Sequence, residues 1–521
     1  MEPQWKNAMA GTIFFWSAGA VLSLLSLPIL IIIALIIHLQ YRIRKFAHIP
    51  SPKMKPHWSS YIFGHANQMD KVRTGEETIH ERTLIWIRET GPVMVVHVIS
   101  RSMILFATKE SVKEFVTSGR HFKTPAVYQK LHTVLAERFL GNGLVVEHTD
   151  HIWAARRNLF NPAFHRSYLR LSMDQFNRST NDLIRHMARK ADGKTRVRML
   201  DELSKVTMDV IAKVGFNFDC GSFTNEHSEF NGAVKTALKG YSFFLRNPWQ
   251  KYSFKAETIA HKKKVQSSIK LLRQTGEQIV KDRIENMKKG ETGSPNDILS
   301  YILKATNGLT DKSFGMTEVV DEFVTFFVAG METSANTLST VFLHLHQNKD
   351  VMERLQQEVK TVIGERTSIK FEDLGKLEYM GAVIKETLRA TPPIGGTGRV
   401  SSNDVVVNGY LIPKGSEVII TVCIENMEEY FPDPNDFKPE RFLQQTIEAN
   451  TWVPFMVGPR SCIGQQFAMM EMKVILARLL QTFNFEWLPE QSTKITEETT
   501  MKLADGALHY IRLLDGVTVD E

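Results

Sequence analysis

Phe455-Met456-Val457-Gly458-Pro459-Arg460-Ser461-Cys462-Ile463-Gly464 runs straight into an apolar, helix-periodic stretch that begins at Gln465. A cysteine just ahead of a helix meets unpaired N–H groups and the positive end of the helix dipole, which lower a thiol's pKa and favour the thiolate. A thiolate serves either as a metal ligand or as a nucleophile. The nucleophile wants a His base, and this stretch holds none. Gly458 and Gly464 let the backbone lie close to a flat cofactor, Phe455 can shield the sulfur, and Arg460 can reach an acidic group on that cofactor. Taken alone, a lone Cys is more often a small buried hydrophobe, so the reading depends on what accompanies it.

Upstream, Phe326-Phe327-Val328-Ala329-Gly330-Met331-Glu332-Thr333-Ser334 is an apolar helical run interrupted by Gly and followed by an acid and a hydroxyl. Gly330 weakens a helix by up to ~1 kcal/mol relative to Ala, and the Thr333 hydroxyl can bond a carbonyl one turn back, so a groove is expected here. The plain alternative is a helix whose polar face starts at Glu332. Glu386 and Arg389, three residues apart, share a helix face. In isolation they read as an exposed pair worth little. Trp153 and Arg157 are spaced i, i+4, and Trp153 alone reads as core.

Together these stretches resemble the cytochrome P450 family, in content and in order. The resemblance implies haem b held by Cys462 as axial thiolate, with Phe455, Gly458, Arg460 and Gly464 around it. It implies that Trp153, Arg157 and Arg399 serve the haem propionates, and that Glu332 and Thr333 relay protons to dioxygen. It further implies that Glu386 and Arg389 lock onto Pro439-Glu440-Arg441-Phe442, Arg441 included, and that Ala329, Met331, Ile394, Gly395 and Thr397 line the substrate pocket.

The rest of the chain is compatible with that reading. At 521 residues, 43% hydrophobic and 23% charged, it can bury a large core. A net charge of +7 suits anionic lipid or an acidic partner, and no Arg-rich run with interleaved aromatics points to nucleic acid. Three cysteines, Cys220, Cys423 and Cys462, make neither a disulfide framework nor a CxxC metal site, and no HExxH occurs. Residues 7–41 carry no Asp, Glu, Lys or Arg, and Arg42, Arg44 and Lys45 follow. A single membrane helix with a cytosolic body is expected, and the resemblance implies an endoplasmic reticulum anchor. The expected domains are an anchor (1–41), a basic and Pro-rich linker (42–58) and a catalytic domain (59–521).

Hairpins are expected around Ser100-Arg101-Ser102 and Asn408-Gly409. Helices are expected over 167–190, 200–214, 263–288, 319–346, 350–363, 380–388 and 465–483, with an exposed loop at 288–296. The fold class is therefore mainly α with small β-sheets. Nothing reads as a flavin or NADPH site, so the resemblance implies an NADPH-dependent P450 reductase as electron donor, with Arg156 and Lys473 as candidate contacts.

Within the family, Glu137-Arg138, Gly141-Asn142-Gly143-Leu144-Val145 and Phe371-Glu372-Asp373-Leu374-Gly375 look like sterol-hydroxylating members. The expected substrate is a sterol such as cholesterol. Glycine at 395 and 398 replaces aromatic residues of those members and predicts a wider pocket. Fatty acid or xenobiotic hydroxylation, and haem-thiolate isomerase or dehydratase chemistry, remain alternatives on the same scaffold.

Overall fold

The computed structural model describes residues 26–225, 228–289, 297–306, 314–444 and 446–519. The first 25 residues of the expected anchor and most of the expected 288–296 loop lie outside them.

The helices used below are α1 (Ser26–Lys45), α2 (Ile79–Thr90), α3 (Asp150–Phe160), α4 (Met173–Ala188), α5 (Met199–Phe216), α6 (Glu229–Arg246), α7 (Ala256–Lys288), α8 (Met316–Gln347), α9 (Lys349–Val362), α10 (Glu378–Ala390) and α11 (Gln465–Thr482). The centre is α8, which packs against α5, α7, α10 and α11. It is buried nearly all round, its apolar side chains interspersed with buried acids and hydroxyls such as Asp321, Glu322 and Thr340. The expected run 167–190 is two helices, broken at Ser172, whose backbone ends one helix and begins α4. The other expected helices are present, within a few residues at most ends.

The strands are β1 (Val93–Val98), β2 (Arg101–Phe106), β3 (Phe122–Lys123), β4 (Val197–Arg198), β5 (Gly396–Val400), β6 (Val405–Val407), β7 (Tyr410–Ile412), β8 (Glu417–Thr421), β9 (Phe483–Trp487), β10 (Ile495–Glu497), β11 (Met501–Leu503) and β12 (Leu508–Leu513). The main sheet runs β1-β2-β8-β5-β3, with only β8 and β2 parallel. Both expected hairpins form, β1–β2 and β6–β7. A second apolar cluster under the sheet sits beside the main helical core.

α1 is long and apolar enough to cross a membrane by length and composition, and Leu27, Ile29–Ile33 and Ile37 are exposed along it. It continues through Arg42, Arg44 and Lys45, so the expected linker is helical at its start. Arg42 is buried there and ties the helix to the β1–β2 turn, donating to Ser102 Oγ at 3.1 Å and to the Ile99 carbonyl.

Candidate functional site

The cysteine loop is held from behind by buried charge. Glu386 and Arg389 are both fully buried, with Arg389 Nε and Nη2 donating to the carboxylate at 2.8 and 2.9 Å. Arg441 Nε adds a third contact at 3.3 Å. The pair that looked exposed from spacing is therefore interior, because α10 is covered on every side. Arg389 also donates to the Glu425 carbonyl at 3.0 Å, and Glu425 accepts from Val453 N at 2.6 Å, where the loop begins.

Cys462 N donates to the Phe455 carbonyl at 2.8 Å and closes the loop three residues before α11 begins. Gly458 has φ +74°, and a Cβ there would lie 2.5 Å from the Val116 carbonyl. Its glycine thus serves approach to the neighbouring chain. At Gly464 a Cβ would stand 3.9 Å from the Cys462 sulfur, an ordinary contact. Of the three cysteines, Cys462 alone is exposed; Cys423 is buried, its sulfur 3.4 Å from His80 Nδ1 in the sheet-side cluster. The mass of protein around the Cys462 sulfur desolvates it and pushes the thiol up, against the backbone N–H of Gly464 and the charge of Arg157. That corrects the expectation of a lowered pKa: helix-end stabilisation is outweighed by desolvation.

Cations gather above the loop. Arg157 Nη1 donates to the Ser461 carbonyl at 2.8 Å. Arg460 donates to Asp150 at 2.6 Å and to the Glu147 carbonyl at 2.8 Å, and its guanidinium stands 4.2 Å from the ring of buried Trp153. Arg399 is buried, with Nη1 donating to Thr397 Oγ1 at 2.8 Å. Its register partner on β3 is Lys123, also buried, whose Nζ donates to the Val145 carbonyl and lies 3.7 Å from the Tyr128 ring. Among the described residues, no carboxylate is ion-paired with Lys123 or Arg399. Burial, then Arg460 and Arg399, push the Lys123 amine well down. Lys123 was missed from sequence.

On α8, Val319–Val328 is buried throughout, Ala329 is exposed, Met331 is buried again, Glu332 and Thr333 are half-buried, and continuous burial resumes at Ser334. An exposed residue in the middle of a central helix marks an internal opening. Thr333, one turn on, is half-buried and faces the same side, its Oγ1 donating to the Ala329 carbonyl at 2.8 Å. The helix is continuous here, however, and the groove does not come from a break. Gly330 faces Ile211 of α5, whose Cγ1 would stand 3.3 Å from a Cβ there, a tight contact that Ile211 would have to ease by a few tenths of an ångström. Met331 is 3% exposed and packed in the core, about 200° round the helix from Ala329, so it does not line the opening. Glu332 has a buried Oε2 without a hydrogen-bond partner, and burial raises its pKa.

Of the remaining expected lining residues, Ile394 is exposed, Gly395 half-buried and Thr397 buried, its hydroxyl 2.9 Å from the Tyr128 hydroxyl. A Cβ on Gly395 would meet nothing within 4 Å, whereas one on Gly398 would lie 2.2 Å from Thr124 Cγ2. The pocket is wider at 395 only; Thr124 and Val127 fill the place at 398. Arg156 is buried and bonds the Asn142 carbonyl, and Lys473 Nζ is spent on the Leu374 and Leu377 carbonyls at 2.8 and 2.7 Å. Neither is free to receive a partner protein.

Residues 52–510 match the family model described as Cytochrome P450. The chain is 27% identical to human "Cytochrome P450 4V2" over 518 residues, covering 93% of this chain and 94% of that protein. It is 31% identical to rat "Cytochrome P450 3A9" over 66% of this chain and 70% of that one. Similarity to "Probable cytochrome P450 312a1" of Drosophila melanogaster is 31% over 66% and 71%. The chain therefore belongs to the cytochrome P450 family of haem-thiolate monooxygenases, which bind haem b through a cysteine sulfur.

Proposed function

We propose that this P450 is anchored in the endoplasmic reticulum membrane by α1, and that it hydroxylates a sterol with electrons from an NADPH-dependent P450 reductase. Cys462 is the thiolate ligand in this reading. The observation that carries it is the pairing of one exposed cysteine at a helix start with two buried cations, Lys123 and Arg399, that lack carboxylate partners. Buried cations need an anion. The two propionates of haem b supply it, so the chain's residues fit the group.

When bound, the haem iron with a thiolate ligand supplies dioxygen cleavage and C–H oxidation. The protein's share is positioning and proton handling. Lys123, Arg399 and the Tyr128–Thr397 pair would hold the propionates. Ala329, having a small side chain, leaves room beside α8, and Thr333 presents a hydroxyl there whose own hydrogen is committed to the Ala329 carbonyl. It thus offers its oxygen lone pairs to a proton-bearing water. Glu332, whose carboxyl is pushed up by burial, stands one residue away as the group that would hand a proton to that water. Apolar walls keep other water out.

The sterol assignment is supported by the stretches 137–145 and 371–375, which resemble cholesterol 24-hydroxylase. One observation favours a different lipid, a fatty acid or a xenobiotic: the open space at Gly395, where that enzyme carries an aromatic residue. The reductase is read onto an outward cleft of ≈ 440 Å³ lined by Arg157, His165, Arg166 and Gln466 beside the cysteine loop.

The deciding experiment is the reduced carbon-monoxide difference spectrum of the protein beside Cys462→Ala, followed by titration with cholesterol and with laurate. A far-red Soret band lost in the variant supports the ligand assignment. Absence of that band in the unaltered protein overturns it. A spectral shift with laurate and none with cholesterol overturns the sterol.

A further inference from the structure

The hairpin β10–β11 packs against α8 beside Glu332 and is not used by the site as described. Met501 N donates to the Pro393 carbonyl at 2.9 Å, fixing the hairpin to the segment before Ile394. Thr500 Oγ1 accepts from Asn336 Nδ2 at 2.7 Å, so the Thr500 hydrogen is left to donate elsewhere. The groups that act on Glu332 all come from this hairpin: Lys502 favours its carboxylate, Glu498 opposes it, and Thr500 is its hydrogen-bonding side chain. Lys502 and Glu498 are themselves joined at 2.6 Å, i, i+4, and the two side chains are 14% and 37% exposed. The carboxyl behind them has an unpartnered, buried Oε2. The hairpin thus brings an ion pair partly open to solvent, and a hydroxyl with its hydrogen still to donate, against the helix that carries Glu332 and its unpartnered carboxyl oxygen.

We propose that the Glu498–Lys502 pair is the solvent-facing end of the proton route to Glu332, with Lys502 holding Glu332 as carboxylate each time it has released its proton. This rests on the monooxygenase reading. For every C–H bond that becomes C–O–H, dioxygen takes two electrons from the reductase and two protons; one oxygen enters the product and the other leaves as water. Glu332 gives a proton toward Thr333 and regains one from water at Glu498 and Lys502, so the chain's residues end unchanged. Lys502 is a positioning residue in this scheme, since it touches neither substrate nor haem. A buried carboxyl with no cation beside it would give up its proton slowly.

The test uses the full-length, haem-loaded protein. The carboxyl infrared band of Glu332, identified by its loss in Glu332→Gln, is titrated in the unaltered protein, in Lys502→Met and in Lys502→Arg. The midpoint is expected to rise by about one unit or more in Lys502→Met and to return in Lys502→Arg. With purified reductase and cholesterol, hydrogen peroxide per NADPH is expected to increase several-fold in Lys502→Met and Glu498→Gln, while the carbon-monoxide band and cholesterol affinity stay put. An unmoved midpoint together with an unmoved peroxide fraction overturns the proposal. The infrared arm needs no turnover, so failure of cholesterol as substrate is read separately from failure of the relay.

Discussion

Lys123 and Arg399 stand opposite each other in the antiparallel ladder of β3 and β5, two buried cations in register. Like charges directly opposite destabilise a sheet, and burial adds to the cost. The arrangement is economical only when an anion lies between them, which makes haem binding and the stability of this corner one quantity. Lys123→Met is therefore expected to release haem roughly ten to a hundred times faster, from the loss of one charge-assisted bond worth about 1.5–3 kcal/mol. It should also make the haem-free protein more stable. The pH dependence follows from the lowered amine. Between its native pKa and the ordinary 10.5, the unfolded chain holds the extra proton, so stability of the haem-free protein rises with pH across that window. Below the native pKa the full penalty applies. Urea unfolding of haem-free protein at several pH values, with and without Lys123, measures both effects.

The two glycines that replace aromatic residues should answer differently to a side chain. Gly395→Phe enters open space, so the variant is expected to fold, keep its carbon-monoxide band and gain up to ~150–250 Å² of wall. For a sterol, affinity should rise on the order of tenfold, from burial of part of that ring. Gly398→Ala already meets Thr124 Cγ2 at 2.2 Å and is expected to cost about 1–3 kcal/mol through overpacking. Spectral titration with cholesterol reads the first, thermal unfolding the second.

Removing one partner of the buried triad should be far worse than removing a surface pair. Arg389→Ala leaves Glu386, fully buried, with only Arg441 and the Lys438 N–H, and is expected to cost about 3–5 kcal/mol. Because Arg389 also carries the Glu425 connection to Val453, haem content per chain should fall with it. Arg354→Ala, which removes an ion pair 52% and 36% exposed, should cost under about 1 kcal/mol. Denaturation midpoints and pyridine haemochrome assays of the two variants make the comparison.

What could be read from sequence was whatever depends on neighbours along the chain. The Phe455–Gly464 loop and the start of α11 announce themselves by Gly placement and periodicity, and Thr333 bonds one turn back as its chemistry dictates. Long-range partnerships were not legible. Lys123 is an ordinary lysine until β3 brings it beside Arg399, 276 positions later. Arg156 and Lys473 looked like surface charge because nothing local shows that Asn142, Leu374 and Leu377 will present carbonyls to them. Met331 is a different case: the helical step already puts it opposite Ala329, and resemblance alone had placed it in the pocket.

The same long-range burial redirects where a reductase should be sought. Arg166 is exposed, lines the cleft beside Ile463 and leans on Phe371 at 5.0 Å, and among the described residues no carboxylate is ion-paired with it. Arg166→Glu is expected to raise the reductase concentration needed for half-maximal NADPH-driven turnover several-fold at low salt, and the penalty should shrink as salt screens the encounter. Lys473→Glu should behave otherwise. A carboxylate cannot donate to the Leu374 and Leu377 carbonyls, so it leaves two acceptors without their donor and sets a charge against them. Its expected signature is lost stability at every ionic strength, with no salt-dependent change in reductase affinity among the molecules that fold. Steady-state titration with reductase at several salt concentrations, beside thermal unfolding of each variant, separates a docking charge from a structural one. Equal salt dependence in both variants would contradict this placement of the docking face.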